Sequence, residues 1–313
     1  MTSVPSVTSG EAQSPPVRML FTARANPVTQ AMDSRRLARA ISKVDFKVTI
    51  DLFMTDTANL ADIVLPCRHF LEDEDIIYTS MLHTYINYCN RVVEPEPWLP
   101  SELWIFNELA KRLNLEGFPV KDHTWWLERA ILPLTRQKGI TLDLLKKGPV
   151  KLPGISPIAW DDLRFKTPSG RIELYSDRAR NDGHSPIPVF EDINPKPTAR
   201  YPYRLLTPHC RDSLHSQHFV LLEDGVLPTA YINPATAATE GVKDGGEMLV
   251  STETGSLKCR VKTDKNIGPG IVMIYEGWWI QKSGGVNLLI PERETDMGCQ
   301  AAYYDCLCNI SGF

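Results

Sequence analysis

The sequence predicts an α/β region with a parallel sheet, followed by an all-β region. Two observations support this division. Apolar strand patterns alternate with an amphipathic helical pattern near the start of the chain, and short apolar runs separated by turn residues fill the last third. A proline-rich segment lies between the two patterns, and we expect the domain boundary there.

The α/β region begins with a strand–helix–strand unit. Arg18–Ala23 is an apolar strand, Asp33 can cap a helix that runs to about Ser42, and Phe46–Asp51 is a second strand. A third strand follows at Asp62–Leu65, before a proline. Because strands joined through a helix pair in parallel, this order predicts a parallel sheet.

The remaining elements complete the predicted organisation. Helices are expected over Ser101–Leu113 and Thr124–Leu132, and a Pro-Ser-Gly turn at 168–170 predicts a hairpin after which helices end. The predicted parts are a disordered leader at 1–16, an α/β domain at 17–183, a linker with five prolines at 184–202, and an all-β domain, a barrel or a sandwich, at 203–313.

Composition excludes several classes of function. The formal net charge is −4 and no basic cluster lies between aromatic residues, so we expect no nucleic-acid partner. The apolar runs fall far below the roughly 20 residues of a membrane-spanning helix, so we expect no membrane insertion.

Cysteine usage indicates reduced thiols. The seven cysteines are odd in number and scattered, and the chain has no C-x-x-C pair, which predicts a cytoplasmic protein without a protein-held iron–sulfur cluster or zinc ion. Cys306 and Cys308 should lie on the same face of one strand.

Three stretches resemble the carboxyl-terminal half of the dimethyl-sulfoxide-reductase superfamily of molybdenum or tungsten enzymes, which includes formate dehydrogenases. The first is an ordered string that resembles the domain gripping one pterin guanine dinucleotide. It consists of Ala25–Pro27, Thr49–Ala58 and Ala61–Pro66, followed by Glu72 and Glu74.

The second stretch, Leu205–His218, resembles the opening of the superfamily's final dinucleotide-binding domain. The third resembles its closing segment and comprises Gly277–Ile280, Gly284–Leu289 and Ala301–Asp305. The resemblance implies a six-stranded barrel of the double-psi type and a molybdopterin guanine dinucleotide cofactor carrying molybdenum or tungsten.

The resemblance assigns cofactor contacts to nine residues. Asp51 at a strand end can accept two hydrogen bonds from guanine, and Arg211 presents a fork of donors suited to a pyrophosphate. Thr55 suits hydroxyl or phosphate oxygens, and Asn287 can both donate and accept. The full predicted set is Asn26, Asp51, Thr55, Thr207, Arg211, His215, Ser216, Asn287 and Tyr303.

Structural alternatives accompany these assignments. Isolated residues such as Asp51 and Thr55 usually end a strand or cap a helix, and Trp278 and Trp279 are at least as well explained as core aromatics. Three histidines, at 209, 215 and 218, raise the possibility of a metal site. No fourth ligand with suitable spacing is apparent, so pterin contact is favoured over metal ligation.

The chain departs from the superfamily pattern in one respect. Complete members carry an iron–sulfur or related domain and a metal-ligating residue before the region resembled here, and this sequence contains neither. We therefore expect no catalytic residue and no metal ligand in this chain. It should be inactive alone and need a partner that supplies the amino-terminal catalytic half, whether it is a separate subunit or a truncated product.

Two alternative functions remain. One is a non-catalytic module for cofactor binding or assembly that keeps the same grip without redox chemistry. The other is a stand-alone enzyme that uses the acidic run from Glu72 to Asp75 for acid–base catalysis, because clustered carboxylates shift each other's pKa. Such a run is usually a solvated loop, so this alternative ranks last.

Overall fold

The structure is a computed structural model that describes residues 16–78, 83–190, 192, 194–295 and 300–312. Most of the predicted leader, residues 1–15, and Cys299 lie outside these ranges. The chain divides into two compact units. One combines Met1–Pro66 with Ile193–Phe313, and the other comprises Cys67–Asp192. These units are defined by how densely their residues contact one another, and one of them joins two separate segments of the chain. The predicted domain bounds at 17–183 and 203–313 therefore stay a prediction.

The first unit begins with a three-stranded parallel sheet, which confirms the predicted α/β fold. Its strands are β1 (Met19–Ala23), β2 (Phe46–Asp51) and β3 (Ile63–Pro66), in the order β1-β2-β3. Two helices connect β1 to β2, a single turn α1 (Pro27–Gln30) and α2 (Ser34–Ser42).

The start of α2 follows from a local side-chain interaction. The Asp33 carboxylate accepts a hydrogen bond from the Arg36 amide at 3.0 Å, which satisfies an amide that has no partner within the helix. Leu37 and Ile41, one turn apart, are buried on the same face and pack with Val28. The helix thereby covers the sheet and holds the loop that follows β1.

A closed six-stranded barrel forms the rest of the first unit and confirms the all-β prediction. Its strands are Tyr203–Leu206 (β7), Thr229–Ile232 (β8), Glu247–Ser251 (β9), Ser256–Thr263 (β10), Ile271–Ile274 (β11) and Cys306–Gly312 (β12). They follow one another around the barrel in the order β10-β8-β11-β7-β12-β9, with mixed parallel and antiparallel pairing. Two short helices, α7 (Pro234–Thr239) and α8 (Ile280–Ser283), join them.

Alternating side chains fill the barrel interior. In β10, Leu257, Cys259 and Val261 point inward and are buried, while the residues between them are exposed. Cys306 and Cys308 are both buried in β12, which confirms that they share one face. Burial raises the pKa of Cys306 to about 12, so these thiols stay protonated and serve as core residues.

In its described residues, the second unit contains an antiparallel sheet and four α-helices. Its strands, in the order β4-β5-β6, are β4 (Asp75–Tyr78), β5 (Tyr85–Cys89) and β6 (Val150–Lys151). Its helices are α3 (Glu102–Arg112), α4 (His123–Lys138), α5 (Leu142–Leu145) and α6 (Asp177–Asn181). A core formed by β5, α4 and α5 holds this unit together.

Two local predictions in this unit are wrong. Helix α4 continues through Pro133 to Lys138, although the sequence predicted an end at Leu132. The predicted hairpin around 168–170 is absent: the described residues between β6 and β7 form turns and the helix α6, with no strand. Most of these residues are exposed, and a two-stranded ribbon without a packing partner is only marginally stable.

No helix in the described part of the chain combines the length and the apolar character that crossing a membrane requires.

Candidate functional site

Three of the predicted contact residues lie at one edge of the parallel sheet. Ala23 of β1 pairs with Ile50 of β2, so Asn26 follows the carboxyl end of β1 and Asp51 is the last residue of the adjacent strand β2. Thr55 comes four residues later, and its side chain lies near enough to the Asp51 carboxylate to oppose the rise in that group's pKa. The carboxyl edge of an open parallel sheet is where such folds bind ligands.

Asp51 is a partly buried carboxylate with incomplete stabilisation from the protein. Its Oδ1 accepts a hydrogen bond from the Leu52 amide at 2.7 Å. Burial raises the pKa of Asp51, and this outweighs the hydrogen bonds from the Leu52 and Phe53 amides and from Thr55 and the positive charge of Arg24. A ligand that brings further N–H donors would therefore compensate for the desolvation of this carboxylate.

Exposed apolar side chains follow Asp51 directly. Leu52, Phe53 and Met54 are 37, 49 and 53% exposed. Three consecutive apolar residues at this exposure form a surface on which an apolar or flat group can pack. The edge thus combines a carboxylate acceptor with an apolar surface.

Asn26 is buried and holds the loop after β1 in place. Its Nδ2 donates to the Thr29 hydroxyl at 2.8 Å, and its Oδ1 accepts from the hydroxyl and the amide of Thr57 at 2.9 and 3.2 Å. Both the nitrogen and the oxygen of its side-chain amide therefore form hydrogen bonds within the protein. Its predicted contact with a cofactor stays a prediction.

Asp56, which sequence reasoning missed, links the sheet to the barrel. Its buried carboxylate accepts hydrogen bonds from the Thr29 hydroxyl at 2.6 Å, the Ile280 amide at 2.7 Å and the Gln281 amide at 3.0 Å. Two of the three donors are amides in the first turn of α8, where a negative charge is favourable. The 224 and 225 residues between the partners leave no sequence signal for this contact.

Three predicted residues of the barrel converge on the backbone and side chain of α1. Asn287 donates to the Thr29 carbonyl at 2.9 Å, and Tyr303 donates to the Gln30 carbonyl at 2.8 Å. The Ser216 hydroxyl accepts from the Gln30 side chain at 3.2 Å. We call this set of contacts, together with those of Asp56, the sheet–barrel junction.

Two aromatic side chains, Trp279 and Tyr303, make hydrogen bonds at or beside the junction. Trp279 is 4% exposed and donates from its indole nitrogen to the Ser216 carbonyl at 2.8 Å, in keeping with a core role. Burial raises the pKa of Tyr303, and the nearby Glu276 carboxylate adds to the shift, so its phenol remains a donor.

The remaining predicted residues lie in the loop that follows β7. Thr207 is buried directly after that strand, whereas Arg211 is exposed within the loop. His215 has a φ of +49°, a backbone conformation that is uncommon for residues other than glycine. The loop therefore presents a guanidinium group to solvent and buries Ser216 in the junction.

A second missed residue, Glu276, joins two histidines of this loop. His215 Nδ1 lies 3.1 Å from Glu276 Oε1, and His209 Nδ1 hydrogen-bonds to the same oxygen. Ligand atoms of the three residues all lie within 4.8 Å of one another. His218 is not part of this group, so the structure selects two of the three histidines and adds a carboxylate from a distant segment.

The acidic run of the second unit is engaged in local structure. The Glu72 carboxylate accepts from the His69 amide at 2.7 Å, and Asp73 lies 3.4 Å from His123 Nδ1. Hydrogen bonding to Asp73 raises the pKa of His123 against the opposing effect of burial. Burial alone would raise the pKa of Asp73, but His123, the Glu74 amide and nearby positive charges bring it below its ordinary value.

Comparison with known proteins identifies the family. A model described as "Molybdopterin oxidoreductase" matches residues 3–112, and one described as "Molydopterin dinucleotide binding domain" matches residues 203–307. The chain belongs to the molybdopterin oxidoreductase superfamily.

Individual relatives of this superfamily cover most of the chain. It is 36% identical over 306 residues to "Probable oxidoreductase YyaE" of Bacillus subtilis, which covers 96% of this chain and 46% of the relative. It is 28% identical to "Dimethyl sulfoxide/trimethylamine N-oxide reductase" of Cereibacter sphaeroides, over 88% of this chain and 39% of that protein. The chain thus spans less than half the length of these relatives.

A solved structure has the same fold. The structure of acetylene hydratase from Pelobacter acetylenicus matches with a TM-score of 0.81 and 24% identity, over 98% of this chain and 46% of that one. This match supports the arrangement of parallel sheet and barrel. The roles of the nine predicted contact residues stay predictions.

The junction generates a stability prediction. Asp56→Asn should lower the free energy of unfolding by about 1–3 kcal/mol, because the amide puts N–H groups opposite backbone donors and removes the charge that they face. Urea unfolding measures this change. Asp224→Asn is the matched control, because the Asp224 side chain is 81% exposed and its ion pair is with Lys282, so its loss should cost under about 1 kcal/mol. Equal effects of the two substitutions would contradict the role of Asp56.

The Asp73–His123 pair predicts a pH dependence of stability. The raised pKa of His123 contributes stability that is complete below the ordinary value of 6.5 and is lost as the pH rises through the folded-state pKa. The lowered pKa of Asp73 contributes stability above 3.8 that is lost as the pH falls through its folded-state pKa. The pair therefore stabilises most between pH 3.8 and 6.5.

His123→Gln should accordingly destabilise the chain most within that interval and progressively less at alkaline pH. Urea midpoints measured across pH for the wild type and the variant test this. His184→Gln, a substitution at an exposed histidine, is the control and should leave the pH profile unchanged. If the urea midpoints of the wild type and of His123→Gln differed by the same amount at every pH, the contribution of the charged pair would be ruled out.

Proposed function

We propose that this chain is the cofactor-binding part of a molybdenum or tungsten oxidoreductase and grips the guanine dinucleotide ends of its molybdopterin. The observation that carries the proposal is the Asp51 carboxylate at the carboxyl edge of the parallel sheet. It is partly buried, its pKa is raised by burial, and exposed apolar residues follow it. Guanine offers a ring N–H and an amino group as donors and a flat face for packing.

In this proposal, the loop after β7 supplies the second set of contacts to the cofactor. Arg211 is exposed there, and a guanidinium group forms paired hydrogen bonds with phosphate oxygens. Ser216, Asn287 and Tyr303 hold the adjoining backbone through the junction. In this proposal they position the loop, and contacts to the pterin come from the groups that the junction leaves accessible.

The reaction itself would depend on the bound cofactor. Its metal supplies redox chemistry, while the protein binds, orients and electrostatically tunes the group. We assign no residue of this chain as a ligand of that metal. We propose that a partner chain corresponding to the part of the relatives not matched here supplies the ligand and the substrate-binding groups.

A cytoplasmic location fits the thiols. The cysteines that the structure describes form no disulfide with one another, and Cys259, Cys306 and Cys308 are buried in the barrel core. We therefore propose that the chain works in a reducing compartment.

Nucleotide fragments of the cofactor test the proposal directly. The wild-type chain should bind GDP more tightly than IDP, which lacks the exocyclic amino group, and more tightly than ADP. Asp51→Asn should weaken GDP binding by about 10- to 100-fold, because hydrogen bonds to a charged acceptor are lost, and should abolish the preference over IDP. Isothermal titration calorimetry measures the affinity of each protein for all three nucleotides.

Asp45→Asn provides a matched control, because Asp45 immediately precedes the opposite end of the same strand and pairs with Arg18. This variant should bind GDP as the wild type does. Unchanged GDP binding by Asp51→Asn, or a wild type that does not distinguish the nucleotides, would contradict guanine binding at this edge.

A further inference from the structure

Two histidines and a carboxylate converge beside the barrel, and they belong to segments far apart in sequence. His209 and His215 lie in the loop after β7, and Glu276 follows β11. Both imidazole Nδ1 atoms hydrogen-bond to Glu276 Oε1, and the rings lie 5.0 Å apart, nearly perpendicular, at 72°. Two nitrogens and an oxygen therefore point toward one small volume.

Backbone contacts hold the two segments together at this point. The Glu276 amide donates to the Pro208 carbonyl at 3.1 Å, next to His209. Gly277 has a φ of +96°, and a Cβ there would lie only 2.1 Å from the His215 carbonyl oxygen. Only glycine permits this approach, so the backbone places the three side chains close together before any ligand binds.

The donor set matches the preferences of a borderline divalent cation. Zn²⁺ binds imidazole nitrogen and carboxylate oxygen at roughly 2.0–2.2 Å, and sites with three protein ligands complete their coordination with water. The side chains of His209, His215 and Glu276 are 62, 47 and 22% exposed, which leaves solvent access for that water.

We propose that His209, His215 and Glu276 form a binding site for one Zn²⁺-like divalent cation. On binding, each imidazole uses its Nδ1 lone pair and keeps its proton on Nε2, so the hydrogen bonds to Glu276 are replaced by bonds to the ion. The inference rests on these three side chains alone and not on the proposed binding of a dinucleotide.

Zinc titration of the full chain tests the site. The chain, freed of metal with a chelator and kept reduced, should bind one Zn²⁺ per molecule in calorimetry. X-ray absorption of the zinc-loaded wild type should show two imidazole ligands and no sulfur. Glu276→Gln, His209→Ala and His215→Ala should each weaken binding by about 10-fold or more.

Two control variants separate this site from other ligands in the same loop. His218→Ala removes the histidine outside the cluster, and Cys210→Ser removes a free thiol next to His209, so each should bind zinc within about twofold of the wild type. Circular dichroism establishes that the variants are folded, and His209, the most exposed ligand, is the substitution least able to disturb the core.

Three results would overturn the site. They are the absence of saturable zinc binding by the wild type, sulfur ligands in its absorption spectrum, and equal zinc affinity of the wild type and the folded His209→Ala variant.

Discussion

The carboxylate of Asp56 is the interaction on which the arrangement of the first unit depends. It is buried, and it accepts hydrogen bonds from the Thr29 hydroxyl and from the amides of Ile280 and Gln281. A buried charge is costly unless donors surround it, so the first turn of α8 and the loop after β1 must both stay in place. This single group joins the loops of the parallel sheet to the closing segment of the barrel.

The other junction contacts extend this constraint along α1. Asn287 and Tyr303 donate to consecutive carbonyls of its last two residues, and Ser216 accepts from the Gln30 side chain. Because these polar groups satisfy one another, they stiffen the site without offering many free atoms to a ligand. The groups that remain accessible are Asp51 at the sheet edge and Arg211 and the two histidines in the barrel loop.

Regular elements were well predicted because their causes are local. Strand β2 has the predicted bounds. Asp33 caps α2 as predicted, because its carboxylate accepts a hydrogen bond from an amide of the first helical turn. The alternation of Cys306 and Cys308 placed both thiols inside the barrel. Two predictions were wrong because they depend on tertiary packing. The helix predicted to end at Leu132 continues through Pro133, because leucine and isoleucine side chains of α4 pack in the core of the second unit. The turn at 168–170 joins no strands.

The sequence by itself determined the superfamily, the parallel sheet, the barrel and the placement of Asn26, Asp51 and Thr55 at one sheet edge, because ordered motifs and short periodicities carry that information. Only the tertiary structure decided what these residues contact. It engaged Asn26 internally, left the Asp51 carboxylate short of donors, and brought in Asp56 and Glu276. Of the two histidines that contact Glu276, the nearer in sequence is 61 residues away, and the α8 amides that contact Asp56 are 224 and 225 residues away, so no local pattern encodes these contacts.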